Sequence, residues 1–210
     1  MITKEELARA FDARFPAEIA DALRAARVAV AGLGGLGSNI ACMLARSGVG
    51  HLLLVDFDVV DVTNLNRQMY MIPHLGMPKS EAIREILSGI NPYLDVETRQ
   101  LRVTPENVRE LFSGWPIVCE AFDQPDQKAM LVREVLTQCP DSVVISGNGM
   151  AGYGDTNSIH TEKKMSRLYV CGDGRTDVGA GMGLMAPRVA VCAGHQANKA
   201  IQLILEGEKQ

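Results

Sequence analysis

The chain has 210 residues, which corresponds to one ordinary domain with room for a small appendage. An apolar fraction of 47% is sufficient for a full hydrophobic core, and a net charge of −4 argues against a dedicated nucleic-acid binder. The chain has no apolar run of about 18 residues or more, so we expect no membrane span.

Cysteine usage and the first residues indicate the compartment. Five cysteines occur singly, and no Cys-x-x-Cys pair is present, so neither a disulfide framework nor a thiolate zinc site is expected. The N-terminal stretch MITKEELARAFDARF mixes acids and bases and lacks the apolar core of a signal peptide. We therefore expect a protein of the reducing cytoplasm.

Helices and strands alternate along the first 146 residues of the chain. Residues 4–25 have helical spacing, and Pro16 divides them into two pieces. Strands are then predicted at 28–31, 52–55, 96–103, 117–122 and 142–146, and helices from Leu36 to the glycines after 47, at 79–90, 104–112 and 125–138. This alternation predicts an α/β fold with a doubly wound, mostly parallel sheet.

The remaining residues differ in composition from the first 146. The segment after residue 146 is rich in glycine, with short β-like pieces near 157–161 and 167–171. We expect these pieces to form an antiparallel C-terminal addition to the sheet. A last helix is predicted at 186–205, where small residues would allow close packing.

A glycine-rich turn follows the first predicted strand. The pattern G-x-G-x-x-G is satisfied between a strand and a helix by Gly32, Gly34 and Gly37. Gly35 leaves one more position near the turn without a side chain. Backbone amides at this turn can approach a phosphate, and Asp56, at the end of the next strand, can accept hydrogen bonds from ribose hydroxyls. The motif therefore predicts a Rossmann-like nucleotide site, but it does not separate NAD from ATP.

The polar segment after Asp56 favours a triphosphate. Arg67 offers a planar fork and Lys79 a point charge, which are the two usual means of holding phosphate. Asn64 and Asn66 can add neutral donors. A dehydrogenase has little use for such a segment at this place.

Several spaced stretches resemble the ThiF/MoeB/HesA family, the bacterial relatives of ubiquitin-activating enzymes. These stretches are GLGGLGSN, LLLVDFDVVDVTNLNRQ, GMPKSEAI, INPYLDV and EAFDQPDQKAML. The resemblance runs from about Arg27 to the C-terminus, so we expect an N-terminal helical arm over 1–26 and a ThiF-type adenylating domain over 27–210. The short length and the ending GLMAPRVAVCAGHQANKAIQLIL are most similar to ThiF-type proteins of thiamine biosynthesis.

The resemblance implies an adenylation reaction. Family members bind ATP and Mg²⁺ and join AMP to the C-terminal glycine carboxylate of a ThiS-like, ubiquitin-fold sulfur carrier that ends in Gly-Gly, with release of pyrophosphate. They are typically homodimers. Because a carboxylate is already ionised at pH 7, its attack on phosphorus needs charge neutralisation and alignment, and it needs no general base.

The resemblance also implies residue roles. Asp123 would be the Mg²⁺-associated aspartate, and Gln124 stands where the family usually has asparagine. Arg14, with Arg9 as a competitor, is the candidate for an arginine that reaches the other subunit's nucleotide. By position, Gly35 belongs to the phosphate turn, Asp56 binds the ribose, and Asn64, Arg67 and Lys79 contact the phosphates. Arg67, Lys79 and Asp123 form the expected catalytic set.

The chain departs from the family pattern in its cysteines. Many members carry two Cys-x-x-Cys pairs that bind zinc, whereas this chain retains only Cys171 in that region, so no zinc is expected. Some members form a covalent bond to the carrier through a cysteine, but the corresponding segment 175–181 has none. Whether the reaction continues beyond the acyl-adenylate is left open.

Three other interpretations stay open. An NAD-dependent oxidoreductase would share the glycine turn, but no histidine–acid pair is placed for hydride transfer, and the four histidines are expected to be structural. A non-catalytic protein could use the same fold to bind a carrier or nucleotide. A family member could instead activate a small-molecule or tRNA-base carboxylate, which the net acidic charge disfavours for tRNA.

Overall fold

The computed structural model describes residues 2–177, 179 and 181–207. The described residues form seven α-helices and seven strands, together with three short 3₁₀ turns. The helices are α1 (Lys4–Asp12), α2 (Ala17–Ala25), α3 (Gly35–Arg46), α4 (Lys79–Ile90), α5 (Val108–Phe112), α6 (Pro125–Gln138) and α7 (Ala186–Glu206). The strands are β1 (Arg27–Ala31), β2 (His51–Val55), β3 (Asp95–Arg99), β4 (Ile117–Glu120), β5 (Val143–Gly147), β6 (His160–Met165) and β7 (Leu168–Gly172).

The strands form one sheet in the order β3-β2-β1-β4-β5-β7-β6. All neighbours are parallel except β6 and β7, which are antiparallel, so the predicted mostly parallel sheet with an antiparallel C-terminal addition is confirmed. The strand order reverses between β1 and β4, which leaves a crevice outside their carboxyl ends.

The sheet is covered on both faces. Alternate residues of β1 and β2 belong to two different apolar clusters: Val30 and Leu54 lie in the cluster that includes residues of α3, α4 and α7, and Ala31 and Val55 lie in the one that includes residues of α5 and α6. This double burial explains why these strands are continuously apolar in the sequence. Among the helices of the described residues, none is long and apolar enough to cross a lipid bilayer.

The first two helices lie at the far end of the sheet from the crevice. The Thr3 hydroxyl accepts the N–H of Glu6 while the Glu6 carboxylate accepts the N–H of Thr3, which starts α1 with a capping box. Residues of α1 and α2 face Gly48–His51 and Asn91–Asp95, at the amino ends of β2 and β3. Pro16 separates the two helices as predicted.

Two strands end earlier than the sequence indicates. The predicted strand 96–103 stops at Arg99, because β2 is the one described strand that pairs with β3, and its last residue, Val55, lies opposite Arg99. The predicted strand 117–122 stops at Glu120, where its pairing with β1 also ends. The residues beyond both strands turn toward the crevice.

Two further boundaries shift by a few residues. The helix predicted over 104–112 begins at Val108, because the Asn107 side chain accepts the N–H of Thr104 and closes a turn first. β6 begins at His160, later than predicted, because residues 156–158 form a 3₁₀ turn.

Gly37 provides a test of the glycine turn's packing. A Cβ at this position would lie 1.8 Å from the carbonyl oxygen of Gly32, so a Gly37→Ala substitution should lower the free energy of unfolding by about 3 kcal/mol or prevent folding. In α7, a Cβ at Gly194 would meet no atom of the described residues within 4 Å, so Gly194→Ala should stabilise the protein by roughly 0.5–1 kcal/mol. Urea unfolding measures both, and a Gly37→Ala protein of wild-type stability would contradict this packing.

Candidate functional site

A cavity of about 430 Å³ lies at the carboxyl ends of the parallel strands. This volume is in the range of small-ligand sites, and the cavity lies at the point where the strand order reverses. Of the residues predicted from sequence, those that line it are Gly32, Gly34, Gly35, Asp56, Asn64, Arg67, Lys79, Asp123 and Gln124.

Asp56 ties the glycine turn to the end of β2. One oxygen of its carboxylate accepts the N–H of Leu33 at 2.6 Å, and the other accepts the N–H of Asp58 at 2.7 Å. Burial raises the pKa of Asp56 above its ordinary value, against the lowering effect of these two backbone donors. The side chain therefore organises the turn as well as facing the cavity.

The turn presents backbone donors to the cavity. Gly32 has a φ of +91°, and a Cβ there would lie 2.8 Å from the carbonyl oxygen of Ala121, so only glycine fits. Helix α3 begins at Gly35, and its first N–H groups have no acceptor inside the helix. The positive end of α3 thus faces the cavity and can receive an anionic group.

Two of the cations that line the cavity, Lys79 and Arg67, differ in their contacts. Lys79 is buried, and its Nζ lies 3.0 Å from a carboxylate oxygen of Asp58. Arg67 donates from Nη1 to the carbonyl oxygen of Thr63 at 3.1 Å and to the Asn66 side chain at 2.8 Å. Within the described residues the Arg67 guanidinium has no carboxylate partner.

Asp123 and Gln124 follow β4 on the opposite side of the cavity. The Asp123 carboxylate makes no hydrogen bond or ion pair with any residue that the structure describes. Gln124 is the N-cap of α6, but its side chain forms no capping hydrogen bond. Both side chains are therefore available to a ligand.

Three of the predicted residues do not line the cavity. Gly37 packs against the backbone of Gly32, as described above. Asn66 holds the Arg67 guanidinium and donates to the carbonyl oxygen of Leu184 at 3.3 Å, so it contacts residues of the cavity wall. Arg14 is exposed in the turn between α1 and α2, at the amino end of the sheet.

Several polar residues of the cavity were not predicted from the sequence, among them Gln68 and Lys128. Gln68 is buried, and its Oε1 has no hydrogen-bond partner among the described residues. Its place directly after Arg67 was the available signal. Lys128 is bound to the buried Glu120, and no sequence pattern indicated that the two side chains meet.

One part of the cavity is apolar. Leu101, Val103 and Phe122 line it together with Phe57, whose ring centroid lies 4.3 Å from the guanidinium carbon of Arg102. These side chains form a surface on which a planar base could stack.

A buried ion pair supports the loops that close the cavity. Asp173 and Arg188 meet at 2.5 Å, and Arg188 also donates to the carbonyl oxygens of Gly154 and Asp155. Asp173 also accepts from Thr176, which lines the cavity.

The described residues contain no cluster of three or more His, Cys, Asp or Glu side chains that could hold a metal ion by themselves. This bears on protein-only sites such as a structural zinc. A Mg²⁺ ion bound to a nucleotide needs only one or two carboxylates, because phosphate oxygens and water supply the other ligands. The unpaired Asp123 carboxylate suits that second kind of site.

Residues 178 and 180, within the segment 175–181 discussed for a covalent cysteine, lie outside the described residues.

The Asp173–Arg188 pair predicts an acid-sensitive stability. Burial acts to raise the pKa of Asp173, but hydrogen bonds from Thr176, Arg175 and Arg188 outweigh it and hold the pKa at about 2, below the ordinary 3.8. The stability that this carboxylate contributes should be present above pH 3.8 and be lost as the pH falls toward 2. Urea unfolding at several pH values should show a smaller acid loss for Asp173→Asn than for wild type.

The control for this titration is Asp141→Asn, at an exposed aspartate before β5. It should follow the wild-type pH dependence. If Asp173→Asn also follows the wild type, the pair does not contribute in this way.

The five cysteines predict low thiol reactivity. All are buried; burial raises the pKa of Cys42 and Cys171 to about 11 and that of Cys192 to about 12, and it also raises the pKa of Cys119 and Cys139. At pH 8 the native protein should therefore react slowly with a disulfide reagent, whereas the unfolded chain should react at all five thiols. A rapidly labelled cysteine in the native protein would contradict this and would be a candidate for a covalent step.

The chain is similar in sequence to proteins of a known family. The model of the ThiF family matches residues 7–210. The molybdopterin-synthase adenylyltransferase of Salmonella typhimurium is 34% identical over 198 residues, which cover 90% of this chain and 77% of that protein. The tRNA threonylcarbamoyladenosine dehydratase of Bacillus subtilis is 39% identical over 137 residues, or 64% of this chain and 53% of that protein.

Other relatives are longer. The adenylyltransferase and sulfurtransferase UBA4 of Eremothecium gossypii is 36% identical over 143 residues, and that of Yarrowia lipolytica is 30% identical over 203 residues. The chain spans only 32% and 46% of the lengths of these two proteins.

A solved structure shares the fold. The E. coli tRNA N6-threonylcarbamoyladenosine dehydratase, crystallised with AMP, superposes with a TM-score of 0.86 at 23% sequence identity and covers 98% of this chain and 97% of that one. None of the relatives named here is described as a protein of thiamine biosynthesis, so that finer assignment stays a prediction. The match over residues 7–210 and the similarity to the Salmonella protein show that the chain belongs to the ThiF family, as its sequence motifs predict.

Proposed function

We propose that this chain is an ATP-dependent adenylyltransferase. It transfers AMP from ATP to the C-terminal carboxylate of a small ubiquitin-fold sulfur carrier and releases pyrophosphate. The observation that carries the proposal is the shared cavity of Arg67, Lys79 and Asp123 beside the glycine turn. The names of relatives support the reaction class, since the Salmonella protein is an adenylyltransferase and the E. coli dehydratase was crystallised with ATP and with AMP.

The distribution of apolar and charged residues in the cavity favours one orientation of ATP. The base would occupy the apolar part beside Phe57 and Phe122, and the ribose hydroxyls would donate to Asp56. The phosphates would then extend across the N-terminus of α3 toward the cations. The unpartnered Oε1 of Gln68 lies in the same wall, where it can accept from a donor of the bound ligand or an ordered water.

The chemistry needs neutralisation and alignment. Arg67 can bind two phosphate oxygens with its planar fork, and Lys79 can contribute a point charge once its contact with Asp58 is exchanged for phosphate. Asp123, with Gln124 beside it, would hold Mg²⁺. When bound, Mg²⁺ supplies further neutralisation of the triphosphate.

The attacking group of the carrier arrives as an ion. The C-terminal glycine carboxylate needs no base, so its approach depends on cancelling the repulsion between two anions and on holding them in line. This is consistent with a site whose charged side chains are cations and carboxylates, with no histidine among the described residues that line the cavity.

The partner is proposed to be a ThiS-like carrier that ends in Gly-Gly. We further propose a homodimer in which residues 1–26 form an arm and Arg14 reaches the nucleotide of the other subunit. Arg14 lies at the amino end of the sheet in its own subunit, so a role at a nucleotide requires a second copy.

A second candidate acceptor is a carboxylate on a tRNA base. The 39% identity to the Bacillus subtilis tRNA threonylcarbamoyladenosine dehydratase over 137 residues favours it. The net charge of −4 disfavours it, because tRNA binding usually needs a basic surface. ATP–pyrophosphate exchange that depends on tRNA, and not on a carrier, would select this alternative.

The cavity charges predict which substitutions abolish the reaction. Arg67→Ala, Lys79→Ala and Asp123→Ala should each lower carrier-dependent ATP–pyrophosphate exchange by about 100-fold or more, because each removes a charge that the transition state needs. The control is Arg133→Ala, which removes an exposed cation on α6 whose one ion-pair partner among the described residues is the neighbouring Glu134. It should exchange at the wild-type rate, and near-normal exchange in any of the three cavity variants would contradict that residue's role.

The choice between ATP and NAD distinguishes the proposed adenylyltransferase from an NAD-dependent oxidoreductase. Calorimetric titration should show binding of ATP with Mg²⁺ and little or no binding of NAD. Tighter binding of NAD than of ATP would contradict the proposed function.

A further inference from the structure

The ion pair between the buried Glu120 and the partly buried Lys128 contacts Phe122, the residue directly before Asp123. We propose that this pair is a positioning device: it fixes the peptide that carries Asp123 and thereby sets the affinity for nucleotide-bound Mg²⁺. The inference rests on the proposed function, since it assumes that Asp123 faces a metal–nucleotide complex. Neither residue belongs to the set predicted from the sequence.

Glu120 is anchored on the sheet side of the pair. It is the last residue of β4 and is fully buried. One oxygen of its carboxylate accepts the N–H of Phe122 at 2.7 Å, and the other accepts the hydroxyl of Ser146, in the neighbouring strand β5, at 2.5 Å. The carboxylate therefore holds the residue that precedes Asp123.

Lys128, on α6, is the second member of the pair. Its Nζ lies 2.8 and 3.1 Å from the two carboxylate oxygens of Glu120 and 3.0 Å from the carbonyl oxygen of Phe122. The pair thus holds both the N–H and the carbonyl of Phe122. Since the peptide that joins Phe122 to Asp123 is planar, holding this carbonyl also orients the backbone of Asp123.

The geometry argues against Lys128 as a phosphate ligand. An ammonium group has three donors, and three acceptors surround this one: two oxygens of Glu120 and one of Phe122. Although Lys128 lines the cavity, its donors are all directed at protein atoms. Arg67, in contrast, has no carboxylate partner in the described part of the chain.

Because Glu120 is fully buried, both charges of the pair have to be removed together. Lys128→Ala alone would leave a buried carboxylate without its cation, so its loss of function would not separate positioning from loss of stability. The double variant Glu120→Gln/Lys128→Met removes both charges at similar volume. A glutamine can still accept the N–H of Phe122 and donate to Ser146, whereas the Phe122 carbonyl loses its donor.

Calorimetric ATP binding, measured with EDTA and with excess Mg²⁺, is the readout. In the double variant we expect the gain in ATP affinity on adding Mg²⁺ to shrink by about 10-fold or more, as for other residues that orient a metal ligand, while metal-free ATP affinity stays within about twofold of wild type. Adding Asp123→Asn to the double variant should lower Mg²⁺-dependent binding little further, because the pair acts through Asp123. Lys128→Arg, which keeps the charge, should retain most of the gain, and Arg133→Met, on the same helix, should match wild type.

The outcomes separate the two claims. An unchanged response to Mg²⁺ in a folded double variant would overturn the positioning role, and a large loss of metal-free ATP affinity would make Lys128 a direct ligand instead. Wild-type protein that binds ATP with Mg²⁺ but shows no exchange would contradict the proposed reaction and leave the positioning result valid. Wild-type protein that binds no ATP would overturn both.

Discussion

The carboxylate of Asp56 is the interaction on which the cavity depends. Its two oxygens accept backbone N–H groups from Leu33 and Asp58, and these join the glycine turn after β1 to the segment after β2. Gly32, in the same turn, has a φ of +91°, a backbone conformation that favours glycine. A fixed turn keeps the amino end of α3 directed at the cavity, so the backbone provides an anion site before any cation takes part.

Some of the charged side chains around that anion site are paired with each other, and others have no partner of opposite charge. Lys79 is paired with Asp58, and Lys128 is paired with Glu120. Among the charged cavity groups that have no ion-pair partner in the described residues are the cation Arg67 and the carboxylate Asp123. A triphosphate with its divalent cation would supply both missing partners at once. The charge balance therefore favours a metal–triphosphate over a dinucleotide.

Much of this site could be predicted from the sequence because its signals are local. The order strand, glycine turn, helix, strand and acid is continuous in the chain, and Arg67 and Lys79 follow it at short range. Helices α4 and α6 begin and end where the apolar pattern predicts them, at Lys79–Ile90 and Pro125–Gln138. Strand ends were less predictable, because the end of β3 is set by where its neighbour stops.

Contacts between distant segments could not be predicted. The pairing of Lys128 with Glu120 depends on how α6 packs over β4, and that of Arg188 with Asp173 on how the last helix meets the loop after β7. The most direct test of the account is the mass of carrier proteins ending in Gly-Gly after incubation with this protein, ATP and Mg²⁺. We predict a gain equal to one AMP on the cognate carrier, lost on addition of pyrophosphate. Unchanged carrier masses, together with binding of NAD in place of ATP, would contradict the claim that the nucleotide is consumed.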